Sequence, residues 1–286
     1  MIALFLGLLL IPETPSTAQQ PKTIAVCDKA WQEQEPVKRK SLLFQCVEEA
    51  DTSGLKSLAY INLGTLAFLQ YDTTEAAHFY DLAETTGKTI SSDPFFHAYR
   101  SATYSEVGRH EQAVIDAKHV LNFIQNNPHI DTSQQIPLLE MIIEPLHLAK
   151  AVKLKETVLN KYTKLPIRDW VDAHNRATSF MQINEYETAI PYAEQAYLAQ
   201  PEHPAVLNSK CYLLAKTNRA DEGIPYCEKA LQIQPNKASI LHSYAFALAK
   251  NGQCLDSQTA LQKARKFQPA VVTYQQQIAC EPSIPE

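Results

Sequence analysis

The sequence contains six cysteines, whose thiol groups could form disulfides, bind zinc or act in redox chemistry. They are Cys27, Cys46, Cys211, Cys227, Cys254 and Cys280. No two of them form a Cys-x-x-Cys pair, so neither a zinc knuckle nor a thioredoxin-like redox site is predicted. An even number of cysteines in an exported chain is typical of a disulfide framework, and free thiols that serve as small core residues are the alternative.

No arrangement of residues in the sequence indicates catalysis. It contains no Gly-x-Ser-x-Gly, His-Glu-x-x-His, Walker loop or Gly-x-Gly-x-x-Gly pattern. No two of the nine histidines lie four residues apart, as a metal site on one helix requires. Asp169 and Asp172 stand near His174, but carboxylates are expected at a helix start because its N–H groups are partially positive. We predict no catalytic residue, no metal site, no cofactor and no enzymatic activity.

The charge balance argues against nucleic acid as a partner. The formal net charge is −5 and the isoelectric point is about 6.0, whereas nucleic-acid binding requires a strongly cationic face. Only 7 glycines are present, too few for a turn-rich all-β fold. A basic run between Lys150 and Arg168 is interpreted as a solvated helix face, with contact to an anionic surface as the alternative.

The first residues resemble an export signal. Ile2 to Ile11 form a short apolar run, and the small residues that end at Ala18 suit cleavage after that position. Ten helical residues rise only about 15 Å, too little to cross a bilayer, and no later stretch is a transmembrane candidate. We predict a signal peptide over 1–18 and an exported protein, periplasmic or secreted. The alternative is an apolar N-terminal helix that packs on the body.

Small residues recur at a constant interval in the last third of the chain. The intervals of 34 residues join Ala177, Cys211 and Ala245, then Ala189, Gly223 and Ser257, then Ala196, Ala230 and Ala264, and then Pro201, Pro235 and Pro269. Asn184, Asn218 and Gly252 follow the same interval and suit the left-handed turn that ends a helix. Small residues let two helices approach closely, and each proline stops the second helix. Each unit is therefore predicted to be an antiparallel helix pair.

The N-terminal half shows the same internal spacing and carries recognisable motifs. Gly64, Ala76 and Ala83 are 12 and 19 residues apart, and so are Ser101, Ala113 and Val120. The segment Asn62-Leu63-Gly64 and the segments 186–201 and 220–235 resemble the tetratricopeptide repeat family. Arg100 departs from that pattern, which prefers leucine there. The resemblance implies an all-α fold, a right-handed α-solenoid of antiparallel helix pairs that forms a superhelix.

The repeats divide the chain into predicted segments. These are a helical hairpin over 19–56 that breaks at Pro36, repeats over 57–128, an irregular helical segment over 129–169, repeats over 170–269 and a capping helix and tail over 270–286. The irregular segment fits one degenerate helix pair, with helices over 134–150 and 151–162.

The predicted turns reduce the choice of disulfide pairs. In an antiparallel pair, residues at equal distances from the turn lie opposite one another. The midpoints of Cys27–Cys46, Cys211–Cys227 and Cys254–Cys280 each fall at a predicted break. We therefore predict these three local disulfides, each worth about 3 kcal/mol from loop entropy.

The concave face of the solenoid is the candidate functional surface. The first-helix residues that point away from the small-residue contacts are Ile61, Thr65, Phe68, His174, Thr178, Met181, Asn208, Tyr212, Lys216, His242, Phe246 and Lys250. Polar and aromatic side chains in one groove suit an extended peptide or a partner helix. The leading hypothesis is a non-catalytic scaffold of the cell envelope that binds a protein partner. Alternatives are an accessory or regulatory subunit of an envelope enzyme complex, and an enzyme whose site includes Glu140 and Glu144.

Overall fold

The computed structural model describes residues 25–87, 92–269 and 275–280, and the regular elements in these residues are α-helices. They are α1 (Ala25–Gln32), α2 (Pro36–Glu49), α3 (Ser53–Leu69), α4 (Thr73–Thr86), α5 (Pro94–Glu106), α6 (His110–Asn126), α7 (Thr132–Leu148), α8 (Val152–Tyr162), α9 (Trp170–Gln182), α10 (Tyr186–Ala199), α11 (Pro204–Lys216), α12 (Ala220–Ile233), α13 (Ala238–Lys250) and α14 (Cys254–Phe267). The predicted signal peptide lies outside the described residues.

The helices form two compact units, which divide between Leu165 and Pro166. In the N-terminal unit α1 packs on α2, α3 on α4, α5 on α6 and α7 on α8, and neighbouring pairs also pack on one another. In the C-terminal unit the pairs are α9 with α10, α11 with α12 and α13 with α14, again packed pair on pair. This stacking of helix pairs confirms the predicted α-solenoid class.

A residue in the left-handed backbone conformation follows the first helix of each repeat. Asn184, Asn218 and Gly252 have φ angles of 62°, 60° and 77°, and Gly108 has 78°. These are the four turn positions that the sequence predicts. The backbone N–H of the third residue after the end of the helix then bonds to the carbonyl five residues before it, for example Arg219 N to Leu214 O at 2.8 Å. Asparagine and glycine adopt this conformation at least cost.

The irregular segment contains the same turn. Lys150 has a φ of 55° and lies 34 residues before Asn184, so α7 and α8 are in register with the repeats that follow. Pro137 and Pro145 lie inside α7, and Tyr162 on α8 donates to Glu140 Oε1 at 2.6 Å. The hydrogen bond gives Glu140 a structural role between the two helices.

The recurring small residues lie where two helix backbones meet. Ser101 Oγ donates to the Ala113 carbonyl at 2.8 Å, and Ser257 Oγ donates to the Ala245 carbonyl at 2.7 Å. A Cβ atom on Gly223 would lie 2.8 Å from the Cys211 carbonyl oxygen, so a larger side chain there would force α11 and α12 apart. The spacing of 12 residues is therefore the distance along the chain between two positions in direct backbone contact.

The N-terminal helical hairpin differs from the prediction at one point. Pro36 does not break the hairpin between its helices but is the first residue of α2, and Glu35 accepts the N–H groups of Val37 and Lys38. Proline is well suited to this position, because the first helical N–H has no partner within the helix.

The C-terminal segment packs against the last repeat. The first half of the predicted capping helix, residues 270–274, lies outside the described residues, and residues 277–280 have no regular secondary structure, so the predicted helix does not extend through them. Ile278 contacts the apolar side chains that α13 and α14 bury between them. Arg265 Nη2 donates to the carbonyls of Gln275 and Gln276 at 3.2 Å and 3.1 Å.

A buried ionic network joins α5 and α6. Asp116 Oδ2 accepts from Arg100 Nε at 2.8 Å, and Asp116 Oδ1 accepts from Arg100 Nη2 at 2.8 Å. His97 Nδ1 lies 2.6 Å from the same Oδ1 atom. The three side chains are all buried, and Asp116 is only 1% exposed. Arg100 replaces the leucine that the resemblance leads us to expect, and Asp116 supplies its counter-charge.

Candidate functional site

Three disulfides link the described parts of the chain, and they are the pairs that the sequence predicts. Cys27–Cys46 joins α1 to α2, and Cys211–Cys227 joins α11 to α12. Cys254–Cys280 joins the first residue of α14 to the C-terminal segment, with a Cα–Cα distance of 5.6 Å. No described cysteine is free. The disulfides cross-link local elements within each unit.

The predicted groove residues of the N-terminal unit are buried in this structure. Ile61, Thr65 and Phe68 are each at most 6% exposed. Thr65 Oγ1 lies 3.2 Å from the Tyr80 hydroxyl on α4, and the Phe68 ring meets the edge of the Tyr99 ring on α5 at 5.6 Å. These contacts hold α3 against its neighbours, so the three residues are part of the core here rather than an open surface.

The C-terminal unit buries three predicted groove residues and leaves the others accessible. His174, Met181 and Asn208 are buried. Thr178 is half-buried and donates to the His174 carbonyl at 3.0 Å. The accessible residues are Tyr212, Lys216, His242 and Phe246, which are half-buried, and Lys250, which is exposed.

These accessible residues come together with one tyrosine that the sequence analysis missed. The Nζ atom of Lys216 lies 5.5 Å, 5.2 Å and 4.4 Å from the ring centroids of Tyr186, Tyr212 and Phe246. The Tyr212 and Phe246 rings are 5.4 Å apart, and Lys250 Nζ lies 5.8 Å from the Phe246 centroid. We call Tyr186, Tyr212, Lys216, Phe246 and Lys250 the lysine–aromatic cluster. It combines apolar area with two positive charges.

Tyr186 was missed because only first-helix positions were assigned to the groove. It is the first residue of α10, a second helix, and its hydroxyl donates to Asn184 Oδ1 at 2.5 Å. The left-handed turn at Asn184 brings the start of α10 back beside α9. The only sign of it in the sequence is a departure from the repeat, because the equivalent position in the next repeat is Ala220, the first residue of α12.

Burial changes the ionisation of the groups in and beside the cluster. Burial and the nearby Lys250 charge lower the pKa of Lys216. Burial, together with the charge of Tyr186, raises the pKa of Tyr212 to about 12. Burial and the Lys216 charge lower the pKa of His242 to about 4. At neutral pH the histidine and the tyrosine are therefore uncharged, and the lysines supply the charge of the site.

The shifted pKa of His242 predicts a pH-dependent stability. Because the unfolded chain binds a proton on His242 below about pH 6.5 and the folded chain only below about 4, acid favours the unfolded state between these values. The free energy of unfolding should fall as pH decreases through this window, by at most about 3 kcal/mol for this group. Replacing His242 with glutamine should reduce the slope, measured by urea unfolding at several pH values. An unchanged slope would contradict the assignment.

Asp169 and Asp172, the two aspartates near His174 in the sequence, have structural partners rather than a catalytic arrangement. Asp169 caps α9 by accepting the N–H groups of Val171 and Asp172. Asp172 accepts two side-chain hydrogen bonds from Arg168, at 2.6 Å and 2.7 Å. Among the described residues, no group of three or more histidine, cysteine, aspartate or glutamate side chains could hold a metal ion. No helix in the same residues has the length and apolar character that a membrane span requires.

The chain is similar to known proteins in part of its sequence and in its fold. A family model described as "Tetratricopeptide repeat" matches residues 174–238, and no curated protein sequence matches the chain significantly. A tetratricopeptide repeat protein from Parabacteroides merdae is 14% identical over 87% of this chain and 94% of that chain, with a TM-score of 0.63. That likeness shows the fold.

Two further solved structures are more distant. The C-terminal part of a repeat-containing protein from Cytophaga hutchinsonii is 10% identical over 87% of this chain and 96% of that chain, with a TM-score of 0.46. YrrB, described as "a TPR protein with an unusual peptide-binding site", is 14% identical over 82% and 95%, with a TM-score of 0.35. Residues 174–238 therefore match the tetratricopeptide repeat family, and the stacked helix pairs with left-handed turns at a constant interval give the chain a fold similar to that of tetratricopeptide repeat proteins.

Proposed function

We propose that the protein is a non-catalytic scaffold of the cell envelope and that its C-terminal unit binds an extended segment or a helix of a partner protein. The observation that carries the proposal is the lysine–aromatic cluster. Its rings are only half-buried, and aromatic side chains of this kind dominate the energy of protein interfaces because they offer a large apolar area with few rotatable bonds.

The three disulfides support the envelope location. Disulfides persist in oxidising compartments and are rare where glutathione and thioredoxin keep thiols reduced. Cys211–Cys227 lies inside the repeat that carries Tyr212 and Lys216. Such a cross-link stiffens the helix pair, so that less conformational entropy is lost when a partner binds.

The test is affinity capture from the native envelope with the folded chain as bait. Tyr212→Ala combined with Phe246→Ala should remove the specific partner, since each truncation of a central aromatic costs about 2 kcal/mol or more of binding energy. The matched control is Tyr71→Ala with Phe267→Ala, the same residue types at exposed positions outside the cluster. Equal capture by the two double variants would refute groove binding. A catalytic protein among the specific partners would favour the accessory-subunit alternative.

A further inference from the structure

Elsewhere in this unit a lysine that lies over aromatic rings has a carboxylate partner. Lys210 Nζ lies 3.8 Å from the Tyr197 centroid and 4.9 Å from the Tyr226 centroid. Glu194 Oε2 lies 2.8 Å from the same nitrogen. The ammonium group is therefore satisfied by two ring faces and one glutamate side chain, all supplied by the chain itself.

The N-terminal unit repeats this arrangement with arginines. Arg109 lies 4.0 Å over the Tyr104 ring, and its guanidinium donates to both oxygens of Asp81 at 2.9 Å and 2.8 Å. Arg100 lies 4.8 Å over the Phe96 ring and is paired with Asp116. A carboxylate thus completes each of these cation–ring contacts, as expected, because partial burial removes water from the cation.

The lysine–aromatic cluster has no such carboxylate in the part of the chain that the structure describes. Neither Lys216 nor Lys250 forms an ion pair or a side-chain hydrogen bond there, although Lys216 is half-buried. The two ammonium groups share the Phe246 ring. Their mutual repulsion and the loss of water around Lys216 both oppose its charged state, and an anion at this place would relieve both effects.

We propose that the lysine–aromatic cluster is a binding site for an aspartate or glutamate side chain of the partner, next to an apolar side chain that packs on Tyr212 and Phe246. This inference rests on the proposed function and specifies its ligand. A side-chain carboxylate is favoured over a chain terminus because Glu194 fills the equivalent place beside Lys210. Two lysines provide too little positive charge for a nucleic-acid backbone.

The experiment uses a library of 12-residue peptides with amidated C-termini and randomised central positions, selected on the full-length protein. We expect the retained peptides to carry a glutamate or aspartate beside an aromatic or aliphatic residue. Replacing that glutamate with glutamine in one retained peptide should weaken binding about tenfold in fluorescence anisotropy, because a charge-assisted contact becomes a neutral one. Raising the salt concentration should reduce this difference.

Variants of the protein identify the cation. In the Lys216→Met and Lys250→Met variants, the difference in affinity between the glutamate and glutamine peptides should be smaller than in the wild type. A double-mutant cycle measures this reduction as the coupling energy between the lysine and the glutamate. The control is Lys263→Met, which removes the same charge from the exposed face of α14. Its tenfold preference for the glutamate peptide should remain.

The outcomes separate this inference from the proposed function. If the selected peptides depend on Tyr212 and Phe246 but show no acidic preference, the carboxylate site is refuted and groove binding stands. If an acidic preference exists but survives in both lysine variants, the site is also refuted. If peptides bind only when the C-terminus is free, the ligand is a chain terminus rather than a side chain. If no peptide is retained at all, both proposals are overturned.

Discussion

Replacing Asp116 with alanine is expected to lower the free energy of unfolding of the N-terminal unit by about 3–5 kcal/mol. The reason is the cation that the substitution leaves behind. Arg100 is 5% exposed, and both of its hydrogen-bonded nitrogens donate to Asp116 at 2.8 Å. Without the carboxylate, a guanidinium would remain inside the protein with little water and without its bidentate partner, which is far more costly than losing an ordinary hydrogen bond.

The matched control for Asp116 is Glu75→Ala. Glu75 also pairs with a cation of the same unit, because Lys40 Nζ donates to both of its oxygens at 2.8 Å and 2.7 Å. Both of those side chains are about one-third exposed, so water replaces the lost partner and the expected cost is below about 1 kcal/mol. Urea unfolding followed by circular dichroism measures both variants, and hydrogen exchange in α5 and α6 locates the effect. Similar costs for the two variants would show that Arg100 is not held by its buried partner.

Removing one disulfide gives the second large effect. The double variant Cys211→Ala with Cys227→Ala should lower the free energy of unfolding of the C-terminal unit by about 3 kcal/mol, the loop entropy that a cross-link over 16 residues removes from the unfolded chain. The repeat itself explains why alanine is the right replacement. The equivalent positions one interval earlier are Ala177 and Ala193, and both are buried alanines. The variant therefore keeps the packing and removes only the covalent link.

Reduction of the wild-type protein is the control for this variant. After nonreducing mass mapping has established the pair, mild reductant should shift the unfolding of the wild type toward that of the double variant, while the variant changes only through its remaining disulfides. A global unfolding signal sums the contributions of both units. Hydrogen exchange in α11 and α12 should therefore be used to measure the stability of the repeat that carries the disulfide. A double variant as stable as the oxidised wild type would show that the link does not constrain the unfolded chain.

Much of the repeat architecture follows from spacing alone. The turn residues Asn184, Asn218 and Gly252 and the helix-ending prolines at 201, 235 and 269 are local signals, and they coincide with the observed ends of the helices. The disulfide pairs follow from the same logic, since a tight turn between two rigid helices fixes which residues lie opposite one another. Lys150 gives no such local signal, because lysine has no preference for the left-handed conformation that it adopts. Tertiary packing of α7 on α8 imposes it.

The candidate site was harder to predict than the fold. Helix periodicity selects Tyr212, Lys216, Phe246 and Lys250, which the structure leaves half-buried or exposed. It cannot decide how much of a helix face remains accessible, and so it also selected Ile61, Thr65 and Phe68, which the structure buries. It equally misses Tyr186, which reaches the cluster from a different helix. Burial and proximity between helices depend on how consecutive pairs stack, and no local pattern encodes that angle.

The sequence by itself determined where the helices of the regular repeats end, which positions must be small and which cysteines face each other. These properties depend on backbone sterics and on contacts within one helix pair. Both follow from the spacing of the turn residues and small residues along the sequence. Only the tertiary structure decided that Arg100 has a buried counter-ion, that half of the predicted groove is interior, and that two lysines meet over aromatic rings without a carboxylate partner among the described residues. Those facts concern which side chains share space and lose water, and side chains distant in sequence meet only when the pairs are packed.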